Sequence, residues 1–229
     1  MASIAVNIRD IHEQIKAACL SAGRESETVR LIAVSKTKPA SLVKEAFDAG
    51  QVAFGESYVQ EFLDKSQDPL LDRIPIEWHF IGHLQSNKVR FIIDRVTLVH
   101  GIDRISTAEE LSKRAVQHNI QVDYLLEVNT SGETSKYGMQ PDEIAAAAET
   151  LFRMPNITLR GLMTIASPDR VKARKEFRNL RLLLDSLKKI SSNPEKLTEL
   201  SMGMSSDFED AIHEGATMIR VGSAIFGWR

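Results

Sequence analysis

Apolar residues recur along this chain in two rhythms. Over residues 4 to 21, Ile4, Ile8, Ile11, Ile15, Ala18 and Cys19 return every three or four positions, which predicts a helix with one buried face that stops near Gly23. From residue 30 the pattern becomes short apolar runs, each succeeded by a helical stretch. Leu31-Ile32-Ala33-Val34 comes first, and Pro39 opens a helix in which Leu42, Val43, Ala46 and Phe47 share a face. Val52-Ala53-Phe54 leads into a helix carrying Val59, Phe62 and Leu63. Glu77 to Ile81 leads into one capped by Ser86 or Asn87, with Val89, Phe91, Ile92 and Ile93. Thr97 to Ile102 precedes two overlapping capping-box patterns in Ser106-Thr107-Ala108-Glu109-Glu110. Val122 to Asn129 precedes a polar loop and a helix starting at Pro141. Leu159 to Ile165 precedes a long helix from about Asp169 to Ile190. Leu200 to Met204 precedes a helix announced by Ser206 and Glu209, and Met218 to Val221 is the last run.

Eight apolar runs alternating with helices predict parallel strands, because a strand that reads apolar throughout has both faces covered. Eight such units can close into an α/β fold of the (β/α)₈ TIM barrel type, with the leading helix as an addition. An open doubly wound sheet is the rival. No linker or low-complexity break interrupts the 229 residues, so the expectation is one domain over 1–229, with a leading helix at about 4–22 and the barrel at about 30–229.

Composition narrows the class. Hydrophobic residues at 43% and charged residues at 26% are ordinary for a globular domain. A formal net charge of -2, with lysine and arginine spread along the chain, argues against a nucleic-acid protein built on a global basic field. Cys19 is the single cysteine, which rules out an intrachain disulfide and fits a reducing compartment. The N-terminus lacks the basic-then-apolar order of a signal peptide, and no stretch approaches the roughly 20 apolar residues of a membrane span. A cytoplasmic protein without membrane attachment is expected.

In a barrel of this type the working face is built from the loops at the C-terminal ends of the strands. Lys36 comes just after the first run, in Ser35-Lys36-Thr37-Lys38. At a barrel mouth its amine is a nucleophile for aldehydes; as a loop residue it is a solvated charge. Ser201 to Ser206 and Gly222-Ser223-Ala224 place small residues, hydroxyls and main-chain N–H groups after runs seven and eight, which suits a phosphate dianion or, more simply, tight turns. Arg220 interrupts the apolar Met218-Ile219-Val221, so it either faces the mouth, holding a carboxylate or ring nitrogen, or forms a structural ion pair outside. An amine, a phosphate cup and a guanidinium together match a ligand with an aldehyde, a phosphate and a heteroaromatic nitrogen, which is pyridoxal 5′-phosphate (PLP). His100, His118 and His213 are scattered and show no metal-binding spacing, so a metal-dependent hydrolase is not indicated.

Six blocks, taken in order, resemble the pyridoxal phosphate homeostasis protein family over essentially the whole chain. They are Ala33-Val34-Ser35-Lys36-Thr37-Lys38, Phe54 to Glu61, Trp78 to Lys88, Gly161-Leu162-Met163, Leu200 to Ser205 and Ile219 to Gly227. The resemblance implies a barrel like the N-terminal domain of alanine racemase (PLP fold type III), Lys36 as the internal aldimine lysine and Arg220 facing the pyridine nitrogen. It further implies phosphate contacts around Ser201, Met204, Ser205, Gly222 and Ser223, with Ser57, His79 and Met163 near the cofactor. Ser57 stands where relatives usually have Asn, so a polar contact there is shortened or replaced by water. The chain ends at Trp228-Arg229 where relatives usually continue, so a role of that tail is absent or changed.

The implied function is a non-catalytic carrier or regulator in intracellular PLP (vitamin B6) homeostasis. It would hold PLP as a Schiff base on Lys36 and buffer it or deliver it to apo PLP-dependent enzymes. Two features favour this: a permanently charged arginine at the pyridine nitrogen weakens the ring as an electron sink, and no sequence is left for a racemase's second domain. The competing reading is a weak amino-acid racemase or transaminase, with Lys36, His79 and His83 as proton carriers. Lys136, in a Ser/Thr/Gly-rich loop expected on the same rim, is a candidate transient landing site for PLP; the plain alternative is a solvated lysine.

Overall fold

A computed structural model describes residues 3–227; the Trp228-Arg229 ending lies outside the described residues. Eight strands form a closed parallel barrel in sequence order: β1 (Arg30–Val34), β2 (Ala53–Glu56), β3 (Glu77–Phe80), β4 (Leu98–Ile102), β5 (Val122–Glu127), β6 (Ile157–Met163), β7 (Glu199–Ser201) and β8 (Met218–Val221). Each strand pairs with the next, and β8 closes on β1 with Ile32 opposite Arg220 and Ala33 opposite Val221. The open-sheet alternative is thereby set aside.

Two apolar cores explain why most strands read apolar throughout. Inside the barrel, Ile32, Ala53, Leu98, Leu125, Met163 and Met218 form a plug. Outside it, the opposite faces of the same strands pack under α2 (Ala40–Asp48), α3 (Val59–Ser66), α4 (Ile105–His118), α5 (Pro141–Phe152), α6 (Arg170–Ile190), α7 (Phe208–His213) and α8 (Ser223–Phe226). The leading helix α1 (Ile4–Ser21) buries all six residues of its predicted stripe and lies against α2, α7 and α8. Its Asn7 amide donates to the Ile225 carbonyl at 2.8 Å.

Several local expectations are corrected. The helix expected after Ser86 is a short 3₁₀ segment, Ser86–Phe91, with no side-chain cap. The boxes expected at Ser106 and Thr107 are unused, because α4 starts at Ile105 and the Thr107 hydroxyl instead meets Ser86 Oγ at 3.2 Å. Ser206 does not cap α7 either. That helix begins after Asp207, whose carboxylate accepts the Met204 N–H at 2.6 Å. A true capping box stands elsewhere, between Gln140 and Glu143 at the start of α5. The seventh strand is only three residues long, since Met202 to Ser206 already turn across the mouth.

Candidate functional site

The C-terminal ends of β1, β2, β3, β6, β7 and β8 surround a cavity of about 590 Å³. Its wall contains Lys36 and Ser57 on one side, Met204, Ser205 and Ser206 on another, and Arg220 with Gly222 and Ser223 between them; Val34, Ile81 and Ile165 supply apolar surface. Of the residues singled out in the sequence, Lys36, Ser57, Met204, Ser205, Arg220, Gly222 and Ser223 are brought together here. Lys36 is half-buried, in the turn after β1.

The small residues do more than turn the chain. Gly203 has φ +92°, and a Cβ on it would lie 2.6 Å from Ala211 Cβ, so this position is a genuine turn requirement. Gly222 has no such φ; a Cβ there would press within 3.2 Å of the Val34 carbonyl, so its role is close approach of β8's end to β1. Between them Ser223 Oγ donates to Ser205 Oγ at 3.3 Å. The main-chain N–H groups of Ser205, Ser206, Ser223 and Ala224 make no hydrogen bond among the described residues. Free N–H groups and hydroxyls converging on one corner suit an oxyanion.

Arg220 faces the mouth, not an outer ion pair. Its Nη1 donates to Ser201 Oγ at 2.7 Å and its Nη2 to the Thr164 carbonyl at 2.8 Å, and no carboxylate contacts it among the described residues. Burial pulls its pKa down to about 10, with Glu127 and Asp207 holding it up from a distance, so it stays charged at neutral pH.

His79, Ser201 and Met163 lie beneath the cavity and do not line it. Met163 belongs to the apolar plug. The other two belong to a buried polar chain: Ser201 Oγ meets His100 Nδ1 at 2.8 Å, and His100 Nε2 meets His79 Nδ1 at 2.9 Å. Its proton order comes from counting donors. Arginine only donates, so the arrangement with fewest unmet groups has Ser201 donating to His100 and His100 donating to His79. That leaves only the His79 Nε2–H without a partner. Burial above all, helped by Arg30, lowers His79 to about 3; burial, then the His79 ring and after it Arg220 and Arg30, holds His100 well below its ordinary value, so both rings are neutral. In the sequence His100 is one of several scattered histidines. The signal that could have found it is the one that picks out Arg220: a polar residue inside an apolar strand, here Leu98-Val99-His100.

A second polar group sits at the ends of β4 and β5. Glu127 is buried, and burial together with the Asp103 charge pushes its pKa up to about 7 against the pull of Arg220. His83 Nδ1 lies 3.1 Å from Asp103 Oδ2, and its ring stacks on Tyr137 with centroids 4.0 Å apart. Lys136 is outside the cavity wall, its Nζ 2.9 Å from Glu133 Oε1.

Comparisons with known proteins agree with this architecture. A family model described as alanine racemase, N-terminal domain, matches residues 6–229. The pyridoxal phosphate homeostasis protein of Pseudomonas aeruginosa is 45% identical over 231 residues, spanning 100% of this chain and 97% of that protein. That of Aquifex aeolicus is 43% identical over 221 residues, spanning 95% and 94%. A solved structure of PipY from Synechococcus elongatus with PLP bound superposes with a TM-score of 0.86 at 34% identity, covering 98% of this chain and 100% of that one. The barrel, the full-length identities and the matched family model together place this chain in the pyridoxal phosphate homeostasis protein family, on an alanine racemase N-terminal-type barrel.

Proposed function

We propose that this chain binds PLP in the 590 Å³ cavity and serves intracellular PLP homeostasis as a carrier, holding the cofactor on Lys36 and buffering it or releasing it to apo-enzymes. The residues present fit the group. The Lys36 amine matches an aldehyde. The hydroxyls of Ser205 and Ser223, with the free N–H groups beside them, match a phosphate, and a buried guanidinium without a carboxylate in contact matches a ring nitrogen. When bound, PLP supplies an aldehyde that condenses with a primary amine and expels water. Lys36 would contribute that amine from the cavity wall. Ser205, Gly222 and Ser223 would bind the phosphate, and Arg220 would orient the ring, fixed by its own bonds to Ser201 and Thr164.

Support for a carrier over a racemase or transaminase comes from proton handling. Arg220 carries a permanent donor and cannot readily surrender a proton to a ring nitrogen, so the ring stays a poor electron sink. His79, one candidate proton carrier, is neutral, 1% exposed and hydrogen-bonded to His100 beneath the cavity. His83 is occupied with Asp103 and Tyr137. A cytoplasmic setting fits this role, and no helix among the described residues is long and apolar enough to cross a membrane.

The observation that carries the proposal is the convergence of amine, guanidinium and oxyanion cup in one cavity. Its test is the absorbance spectrum of the purified protein titrated with PLP, beside Lys36→Ala. A visible band in the wild type that is lost in the variant is expected. A wild type that stays colourless sinks the proposal, and release of α-protons from amino acids far faster than by free PLP would replace the carrier with an enzyme.

A further inference from the structure

Lys36 is gripped from behind by charges that the cavity does not use. The carbonyl of Ser35, directly before it, accepts from Lys65 Nζ at 2.6 Å, and the N–H of Thr37, directly after it, donates to Glu61 Oε1. Lys65 and Glu61 are themselves paired at 2.7 Å, one helical turn apart on α3. The third proton of Lys65 goes to Glu56 Oε1 at 2.7 Å, the last residue of β2, and the same oxygen accepts the Ser35 hydroxyl at 2.7 Å. Lys65, Glu56 and Ser35 are all buried. Every donor of the ammonium is therefore used, and both peptide groups flanking Lys36 end on one ion-paired unit.

Two physical facts make this more than packing. Thr37 has φ +67°, a left-handed conformation that a β-branched residue adopts only under constraint, and the Glu61 carboxylate supplies one. Buried ion pairs are also poor sources of stability, since desolvation offsets most of their attraction; apolar side chains would fill the same space as well. What the charges do provide is a fixed direction for two peptide groups. Burial pushes Glu56 upward, and Lys65 first, then the Ser35 hydroxyl, oppose it.

We propose that Glu61 and Lys65 of α3, with Glu56 of β2, are positioning residues that clamp the backbone on both sides of Lys36 and keep its amine aimed into the cavity. This rests on the reading of Lys36 as the PLP tether. The clamp acts on the reacting amine and leaves the phosphate cup and Arg220 alone, so it separates covalent capture from non-covalent binding.

The test uses Glu61→Ala with two ligands: PLP, and pyridoxine 5′-phosphate, which has the ring and phosphate but no aldehyde. Covalent uptake of PLP, monitored by absorbance, is expected to slow by about tenfold, the scale set by the strain of the Thr37 turn. The affinity for pyridoxine 5′-phosphate is expected to stay within about twofold of wild type, because the cup and Arg220 are untouched. Adding Thr37→Gly, which adopts the left-handed turn without strain, is expected to recover most of the uptake rate. Wild-type uptake in Glu61→Ala, or an equal loss for both ligands, overturns the clamp. Should Glu61→Ala not fold, Glu61→Gln keeps the shape and removes the charge; it is expected to slow uptake, and wild-type uptake by it overturns the proposal equally. Lys36→Ala read in parallel keeps the two ideas apart: if it takes up PLP like wild type, the tether reading fails regardless of what the α3 variants do.

Discussion

Glu127 ends β5 with one oxygen buried and unpartnered, and its environment can be read out by pH. Its folded pKa, about 7, lies above the ordinary 4.5, so the group stabilises the fold fully below pH 4.5 and that contribution is lost as pH rises through 7. Glu127→Gln does not titrate. The variant is therefore expected to gain stability relative to wild type between pH 4.5 and 7 and to hold that gain above it, on the order of 3 kcal/mol. Paired thermal melts across that range check this; a difference independent of pH refutes it. At this scale the sequence disclosed the site unevenly. Lys36, Arg220 and the serines stand out because each breaks an apolar pattern or sits just past a strand end. Glu127 and His100 break apolar patterns too, but a single interruption does not say which neighbour it meets across the barrel. The Glu61–Lys65 pair is ordinary helix spacing in the sequence, and its contact with the Lys36 turn exists only after α3 has packed on β2, the strand beside β1.

Among the elements, the strongly periodic ones were legible. The stripe of α1, the start of α5 at Pro141 and the last strand at Met218 to Val221 fall where the pattern predicts. Capping was less legible, because Ser, Thr and Glu at box spacing are also free to bond elsewhere, as Thr107 does with Ser86. Asp169 at the head of α6 is a cap that can be tested. Its carboxylate accepts the Lys172 N–H at 3.0 Å, and that bond holds its pKa below the usual carboxylate range. Asp169→Ala is expected to lower the melting temperature by roughly 2–4 °C. Calorimetry on the two proteins decides; no change would mean that α6 is held by its buried Phe177, Leu180, Leu184 and Leu187 alone.

For the molecule as a whole, ligand and fold stabilise each other. A ligand that binds only the folded barrel adds about 2.7 kcal/mol at a hundredfold excess over Kd, so PLP is expected to raise the melting temperature by roughly 5–10 °C. Lys36→Ala should show a smaller rise, reflecting only the proposed phosphate contacts and Arg220. An equal rise in both would mean that Lys36 contributes nothing to holding the ligand. The closure of β8 on β1 carries one more consequence. Lys36 and Arg220 share a wall only because the first and last strands are hydrogen-bonded neighbours, with Ile32 facing Arg220. During synthesis Lys36, the proposed tether, emerges early, but the residues proposed to act with it, from Ser201 to Ser223, are among the last made. On that proposal a nascent chain exposes an amine with no cup to select its aldehyde, and capture of the ligand would report that the barrel has closed.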